Sequence, residues 1–407
     1  MDLAAGPGTA PGHDVAQRRH CRPGQQPGPV HDGPDRPELD HPELDRPGLD
    51  RVEEELARFF ADAKLRAARI GPPYLRLWEA LERAAAGGGR SRPQLVLLAY
   101  RHLGGTDAQS AALLAASYEL LHTALLVHDD VIDRDTVRRG VPNVSGRYRN
   151  RALRAGADAA EAEHAGTSAG LLAGDLALAG AYRLLRRIEA PREVEQRLHD
   201  LLDDAVFSSV GGEVYDVELS HAAAPPSMED LAKTAHRKTS VYSFEAPLRA
   251  GAVLAGAPAP AADALQRFGR DAGIAYQLVD DVLGAFGDAS STGKTGCSDL
   301  REGKRTVLLA YAASRPGWDR IAGLVGRPDL TPADAERIRR VLVDCGARDH
   351  AVDLAARHAG RALAALESDG VPAPLRQRLG GLLRAVVGRV RPGGPGAAPG
   401  PAHRPAT

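Results

Sequence analysis

The sequence predicts an all-α protein, and three observations carry that prediction. Ala and Leu, both strong helix formers, abound in a composition that is 43% hydrophobic but only 4% aromatic. Alternating β-branched runs are rare. Apolar residues instead recur at three- and four-residue steps, as in Leu113, Leu114, Ser117, Leu120, Leu121, Ala124, Leu125 and His128.

Along the chain, residues 1 to 50 are rich in Pro, Gly, His and Asp and carry a short repeat from Arg36 to Asp50. Regularly spaced prolines block helix and sheet, so this stretch reads as a disordered tail. Residues 391–407 read the same way, leaving 51–390 as one helical domain. Leu171 to Leu185 is apolar nearly all round, which predicts a helix buried at the centre of a bundle. Val241–Leu254 and Ala264–Val282 predict two more helices. Loops are expected at Ala86–Gly89, Arg138–Gly146, Ala222–Pro226 and Gly287–Gly296.

Charge excludes some functions. The 52 basic side chains balance 53 acidic ones, whereas a nucleic-acid binder normally shows a basic excess. Cys21, Cys297 and Cys345 lie far apart in no metal spacing. No apolar run is read as long enough to span a bilayer, and the N-terminus has no signal-peptide core. A cytoplasmic location with no stable membrane insertion is the expectation.

The chemistry sits in two acidic motifs about 150 residues apart, each ending an apolar helix. In the first, H-D-D-V-I-D, Asp129 and Asp133 are four apart and share a helix face, with Asp130 beside them. His122, seven residues earlier, shares that face too. Carboxylate oxygens suit a hard divalent cation, and Mg²⁺ commonly bridges carboxylates to substrate phosphates. Arg138 and Arg139 follow at once, and paired guanidiniums can fork onto phosphate oxygens. The second motif brings Gln277, Asp280 and Asp281, followed by Lys294, Asp299 and Lys304. Lys238, Thr239, Arg90 and Arg92 lie upstream. Acids for metal with cations for phosphate are the chemistry of an ionising diphosphate. The segment Gly287–Thr295 imitates a P-loop, but it has five residues between its glycines rather than four and follows a helix.

Together these segments resemble the trans-type isoprenyl diphosphate synthases, or polyprenyl synthetases, over residues 70 to 380. The resemblance rests on G-G-x-R-x-R-P at 87–93, L-L-H-T-A-L-L-V-H-D-D-V-I-D-R-D-T-V-R-R-G at 120–140 and L-L-A-G-D at 171–175. It continues with G-E-V-Y-D at 212–216, K-T-S at 238–240, Y-Q-L-V-D-D-V-L-G-A-F-G-D at 276–288 and D-L-R-E-G-K-R-T at 299–306. It implies a helical bundle around a central cavity, a homodimer, and condensation of an allylic diphosphate with isopentenyl diphosphate. It also implies three Mg²⁺ ions held by Asp129, Asp130 and Asp133 on one wall and Asp280 and Asp281 on the other. By the same resemblance Arg138, Lys238, Lys294 and Lys304 bind the allylic diphosphate. Arg92, His122 and Arg139 bind isopentenyl diphosphate, and Thr239 and Gln277 line the reacting end. Asp129, Asp130, Asp133, Lys238, Thr239 and Gln277 form the catalytic set.

Three positions depart from the family pattern. Gly89 replaces a lysine, Gly284 replaces the last aspartate of the second motif, and Glu213 stands where Gln is common. Arg90 or Arg92 is the expected substitute for the missing lysine. The alkyl tail is expected to run down the helix carrying Asp129, past Ala124, Leu125 and Leu121 to Tyr118. Eleven residues at about 1.5 Å each put Tyr118 roughly 16 Å below Asp129, a depth that suits a C20 product. Two other readings share the fold: a terpene cyclase, and a non-catalytic subunit that tunes an active synthase.

Overall fold

Helices α1 to α4 build the first half of the bundle. A computed structural model describes residues 45–221, 226–287, 300–301, 303–327 and 329–390. α1 (Arg46–Ile70) starts inside the stretch read as tail, because Asp45 caps it by accepting from the Gly48 amide and Pro47 falls in the first turn. Proline is tolerated there, since the first-turn amides have no partner in the helix. α2 (Pro72–Ala85) and α3 (Ser91–His102) lead to α4 (Ala108–Ile132), whose cap Asp107 accepts from the amides of Gln109 and Ser110. α4 is long and apolar enough to cross a membrane by length and composition, contrary to the reading above. The fold supplies its apolar surroundings instead: 89% of the apolar window is buried within it.

After α4 the chain makes a short hairpin where a loop was expected. β1 (Val137–Arg138) pairs antiparallel with β2 (Val141–Pro142), in the register Val137 to Pro142 and Arg138 to Val141. The two turn residues, Arg139 and Gly140, have φ of 53° and 73°. Left-handed backbone at both positions is the two-residue turn that matches strand twist. Arginine is an unusual first residue for it, which hid the hairpin from sequence reading. α5 (Val144–Arg154) then begins inside the expected loop, capped by Asn143.

α6 (Ala159–Leu185) packs mainly against α4 and α5, and α7 (Arg192–His221) follows it. α8 (Met228–Ala235) runs into a ten-residue π-helical segment, His236–Glu245, and then α9 (Ala246–Leu254). The expected helix at 241–254 is therefore two segments of different winding. α10 (Ala259–Phe286) includes the expected 264–282 helix and extends it both ways. The C-terminal part is α11 (Val307–Ala313), a 3₁₀ turn at Trp318–Arg320, α12 (Pro332–Asp344), α13 (Ala347–Ala365) and α14 (Ala373–Gly388).

Two apolar clusters hold these helices. One joins α1, α2, α4 and α6 through Phe59, Phe60, Trp78, Leu114, Leu120 and Leu184. The aromatic rings there meet edge-on, with centroids 5.2 to 6.4 Å apart. The other joins α10 to α14 through Leu265, Phe268, Leu308, Ile338 and Leu375. Between them α7 lies close against the π segment: a Cβ on Gly212 would come within 2.3 Å of the Lys238 backbone nitrogen. Only glycine allows that approach, and it sets Lys238 opposite α4.

α6 corrects a second expectation. Leu171 and Leu172, read as central core, are 49% and 57% exposed. Apolar residues all round a helix do not require that its own chain covers every side.

Candidate active site

A cavity of about 870 Å³ opens between α3, α4, α7, the π segment and α10. Its mouth carries the two acidic motifs. α4 contributes His122, Leu125, Asp129 and Asp133 to the lining, and α10 contributes Gln277, Asp280 and Asp281. Lys238 and Thr239 enter from the π segment, and Arg92, Arg139 and Lys304 complete the polar rim. Thus residues from distant stretches of sequence converge on one space. Lys294, with Asp288 and Asp299, lies outside the described residues.

Lys238 is the hub of the first wall. Its Nζ lies 2.7 Å from Asp216, 3.0 Å from Glu213 and 3.2 Å from Asp129. Burial disfavours the ammonium, but the three carboxylates outweigh it and hold its pKa well above the ordinary lysine value. Burial likewise opposes the Asp129 carboxylate, yet Lys238 and Arg138 together keep its pKa below normal. Asp133 shows the opposite balance, with burial and then the Asp129 charge raising it. Glu213 is also raised, chiefly by burial.

Two expected ligands stand elsewhere. Asp130 is buried and bonded to Arg138, at 2.7 Å from Nε and 2.6 Å from the terminal nitrogen. Neither residue lines the cavity. Successive helix positions point roughly 100° apart, so Asp130 cannot share the direction of Asp129. Burial pushes the Asp130 carboxyl up to about 6 against the pull of Arg138. Arg138 still reaches Asp129 at 3.4 Å, so this pair braces the first wall from behind.

The rim on the α3 side is built differently. Arg92 donates to Ser243 Oγ at 2.7 Å and sits over the Tyr242 ring at 5.0 Å. That ring stacks on His122 with centroids 5.9 Å apart. Arg90, by contrast, is taken up by Glu53 and by Glu119 at 2.7 Å, so it is not free to replace the missing lysine. Arg139 fills that region instead. Its guanidinium lies over Gly87 and Gly88, where a Gly88 Cβ would come within 2.8 Å of it. Its left-handed φ, of the kind often stored at functional sites, aims it there.

The second wall is carried by α10. Gln277 donates to Asp281 at 2.9 Å, and Gly284, one turn beyond Asp280, offers no carboxylate. Of the tail-pocket residues, only Leu125 lines the cavity; Ala124, Leu121 and Tyr118 are buried in the first apolar cluster. Ala124 is five residues from Asp129, hence roughly 140° away around the helix. Leu121 and Tyr118 lie deeper on α4, and the Tyr118 hydroxyl has no hydrogen-bond partner among the described residues. Sequence reading overlooked Asp216, Tyr242 and Ser243. Asp216 had a usable signal, since it follows Glu213 by three and shares its helix face.

The donor set fits a divalent metal. Among the described residues no three acidic or histidine groups close around one point. Mg²⁺ does not require that, because it usually takes one or two carboxylates per ion and keeps water or phosphate oxygens. Asp129 and Asp133 facing Asp280 and Asp281 across one cavity supply such sets.

Comparison with known proteins agrees. Residues 76–340 match the Polyprenyl synthetase family. The chain is 36% identical over 311 residues to the geranylfarnesyl diphosphate synthase of Aeropyrum pernix, covering 75% of this chain and 92% of that protein. It is 30% identical to the geranylgeranyl diphosphate synthase of Methanosarcina mazei, covering 66% and 76%. The crystal structure of geranylgeranyl pyrophosphate synthase from Corynebacterium glutamicum, complexed with isoprenyl diphosphate and magnesium, superposes with a TM-score of 0.79 at 31% identity. That match covers 85% of this chain and 99% of the other. The paired acidic walls and their cations therefore belong to a known framework, and this chain is a member of the polyprenyl synthetase family, an all-α trans-prenyltransferase that makes isoprenyl diphosphates.

Proposed function

We propose that the chain extends an allylic diphosphate with isopentenyl diphosphate in the cytoplasm and ends at the C20 product, geranylgeranyl diphosphate. The observation that carries this reading is the pair of acidic motifs facing each other across one cavity, with Lys238, Lys304, Arg92 and Arg139 on its rim. Mg²⁺, three ions per site, would be held by Asp129, Asp133, Asp280 and Asp281 and would neutralise the leaving diphosphate. Lys238 and Lys304 add to that neutralisation, and Lys294 is assigned to the same group. Arg92, His122 and Arg139 hold the diphosphate of isopentenyl diphosphate. Thr239 and Gln277 border the reacting carbon. The apolar lining below them keeps water from the allylic cation that forms when its C–O bond breaks. The double bond of isopentenyl diphosphate then attacks that carbon, and a proton leaves to the departed diphosphate.

Product length is read from α4. Leu125 borders the cavity, and Tyr118 is buried in the apolar cluster three turns below Asp129 on the same side of α4. Tyr118→Ala should lengthen the product beyond C20, measured by mass spectrometry of dephosphorylated prenols. An unchanged length would remove Tyr118 from the reading.

A homodimer belongs to the same proposal. Leu171, Leu172, Phe207, Val210, Val214 and Tyr215 are all about half exposed or more, and Phe207 reaches 82%. An apolar face of this extent marks an interaction surface. Leu171, Val210 and Val214 also border the cavity, so a second copy on this face would help keep it dry. Sedimentation should give a dimer for the wild type and a monomer for Phe207→Glu; a monomeric wild type would contradict this part.

The decisive assay incubates the purified chain with Mg²⁺, an allylic diphosphate and isopentenyl diphosphate. Chain extension separates the synthase from a cyclase, which would turn the allylic substrate alone into a hydrocarbon or alcohol. It also separates it from a silent subunit, which would do neither.

A further inference from the structure

A second cleft, of about 710 Å³, lies on the outer side of the π segment, between α8, α10 and α13. Its charges do not balance. Lys233 pairs with Glu229 at 2.6 Å. Asp271 is held by His358 at 2.7 Å and by Arg361 at 3.1 Å. Both lining carboxylates are therefore matched. Arg267 and Arg270, three apart on one face of α10, border the same cleft and pair with no carboxylate among the described residues. Two uncompensated guanidiniums thus sit in a concave site on a chain whose net charge is −1. The planar fork of arginine can take two oxygens of one phosphate or carboxylate group at once, and the active cavity next door releases diphosphate in the proposed reaction.

The position of the cleft matters as much as its charge. Ala232 and Ile274 border both this cleft and the active cavity, so one layer of side chains separates them. His236 opens the π segment on the cleft side and is paired with Glu245 at the segment's other end. Lys238 and Thr239, two and three residues on, face the active cavity. π-helical winding is rare overall and is frequent at functional sites. The segment is thus a short physical link between the two spaces.

We propose that this cleft is an accessory diphosphate site, through which diphosphate acts back on turnover by way of the π segment. The ligand is either the inorganic diphosphate released by each condensation or the head of a prenyl diphosphate. The regulatory half of the proposal rests on the prenyltransferase reading; the binding half does not.

The test compares the full-length wild type with Arg267→Ala/Arg270→Ala, two exposed changes outside the catalytic set. Calorimetric titration with inorganic diphosphate should show two binding events per chain in the wild type and one in the variant. Initial rates without added diphosphate should match. Inhibition that is not competitive with the allylic substrate should weaken about ten-fold in the variant, and should also weaken with added salt in the wild type. If geranylgeranyl diphosphate rather than inorganic diphosphate populates the second event, the prenyl head is the ligand and the site stands. Identical titrations and identical inhibition in the two proteins would overturn the proposal. A wild type with no turnover on both substrates would instead overturn the enzymatic reading, while the titration would still decide the binding site.

Discussion

The two acidic walls of the cavity are built to different standards. On α4, Asp129 is tied to Lys238 at 3.2 Å and to Arg138 at 3.4 Å, and Arg138 is itself anchored on buried Asp130. On α10, Asp281 accepts from Gln277, and Gly284 leaves the third position of the motif without an acid. The first wall therefore holds Asp129 in place before any substrate arrives. The second motif carries one acid fewer. Preorganised groups lose little freedom on binding, so the α4 wall should dominate the ground-state grip on metal and diphosphate. The α10 wall should be the one whose occupancy limits the metal requirement.

The largest effect should come from the braced wall. Asp129→Ala removes a cavity carboxylate and the link from α4 to Lys238, and kcat should fall by about a thousand-fold or more in the two-substrate assay. A variant within a few-fold of wild type would break the assignment of that wall. Lys238→Ala should cost about a hundred-fold, because the remaining rim cations still neutralise part of the leaving group. Its effect should exceed that of Asp281→Ala measured at saturating Mg²⁺. The reverse order would show that the α10 wall dominates.

Gly284→Asp sharpens the comparison from the other side. Adding the missing acid to α10 should lower the Mg²⁺ concentration for half-maximal rate by a few-fold, with little change in kcat. No shift would mean that position 284 does not face the metals. The smallest effect is expected at Glu213→Gln. Burial raises the Glu213 pKa, so folding favours its protonated form, and its charge costs stability once pH exceeds the ordinary glutamate value of about 4.3. The variant should gain about 1–3 °C in Tm at pH 8, and the gain should vanish below about pH 4. Asp129 has the opposite sign: its lowered pKa makes its charge stabilising above the ordinary aspartate value, and that contribution is lost on acidification.

Much of this contrast was legible in the sequence, because it depends on helix periodicity. Apolar spacing marked α4, and a four-residue interval set Asp129 and Asp133 on one face with His122 two turns below. Gly284 was visible as a gap in the second motif. Other features depend on geometry that spacing does not encode. Asp130 looks equivalent to Asp129 in the sequence, yet its direction on the helix commits it to Arg138. The turn at Arg139–Gly140 required left-handed backbone at an arginine. The π segment has the same apolar pattern as an α-helix, so its winding was hidden, and with it the reason Lys238 faces Asp129. Leu171 and Leu172 read as core because periodicity reports that a face avoids water, without saying what covers it.

We propose that the two walls serve one condensation. Its most direct test is mass analysis of products after the purified full-length chain meets farnesyl diphosphate, isopentenyl diphosphate and Mg²⁺. The expected result is geranylgeranyl diphosphate, absent when either substrate or the metal is withheld. A cyclised hydrocarbon formed from farnesyl diphosphate alone, or no extension at all, would contradict it.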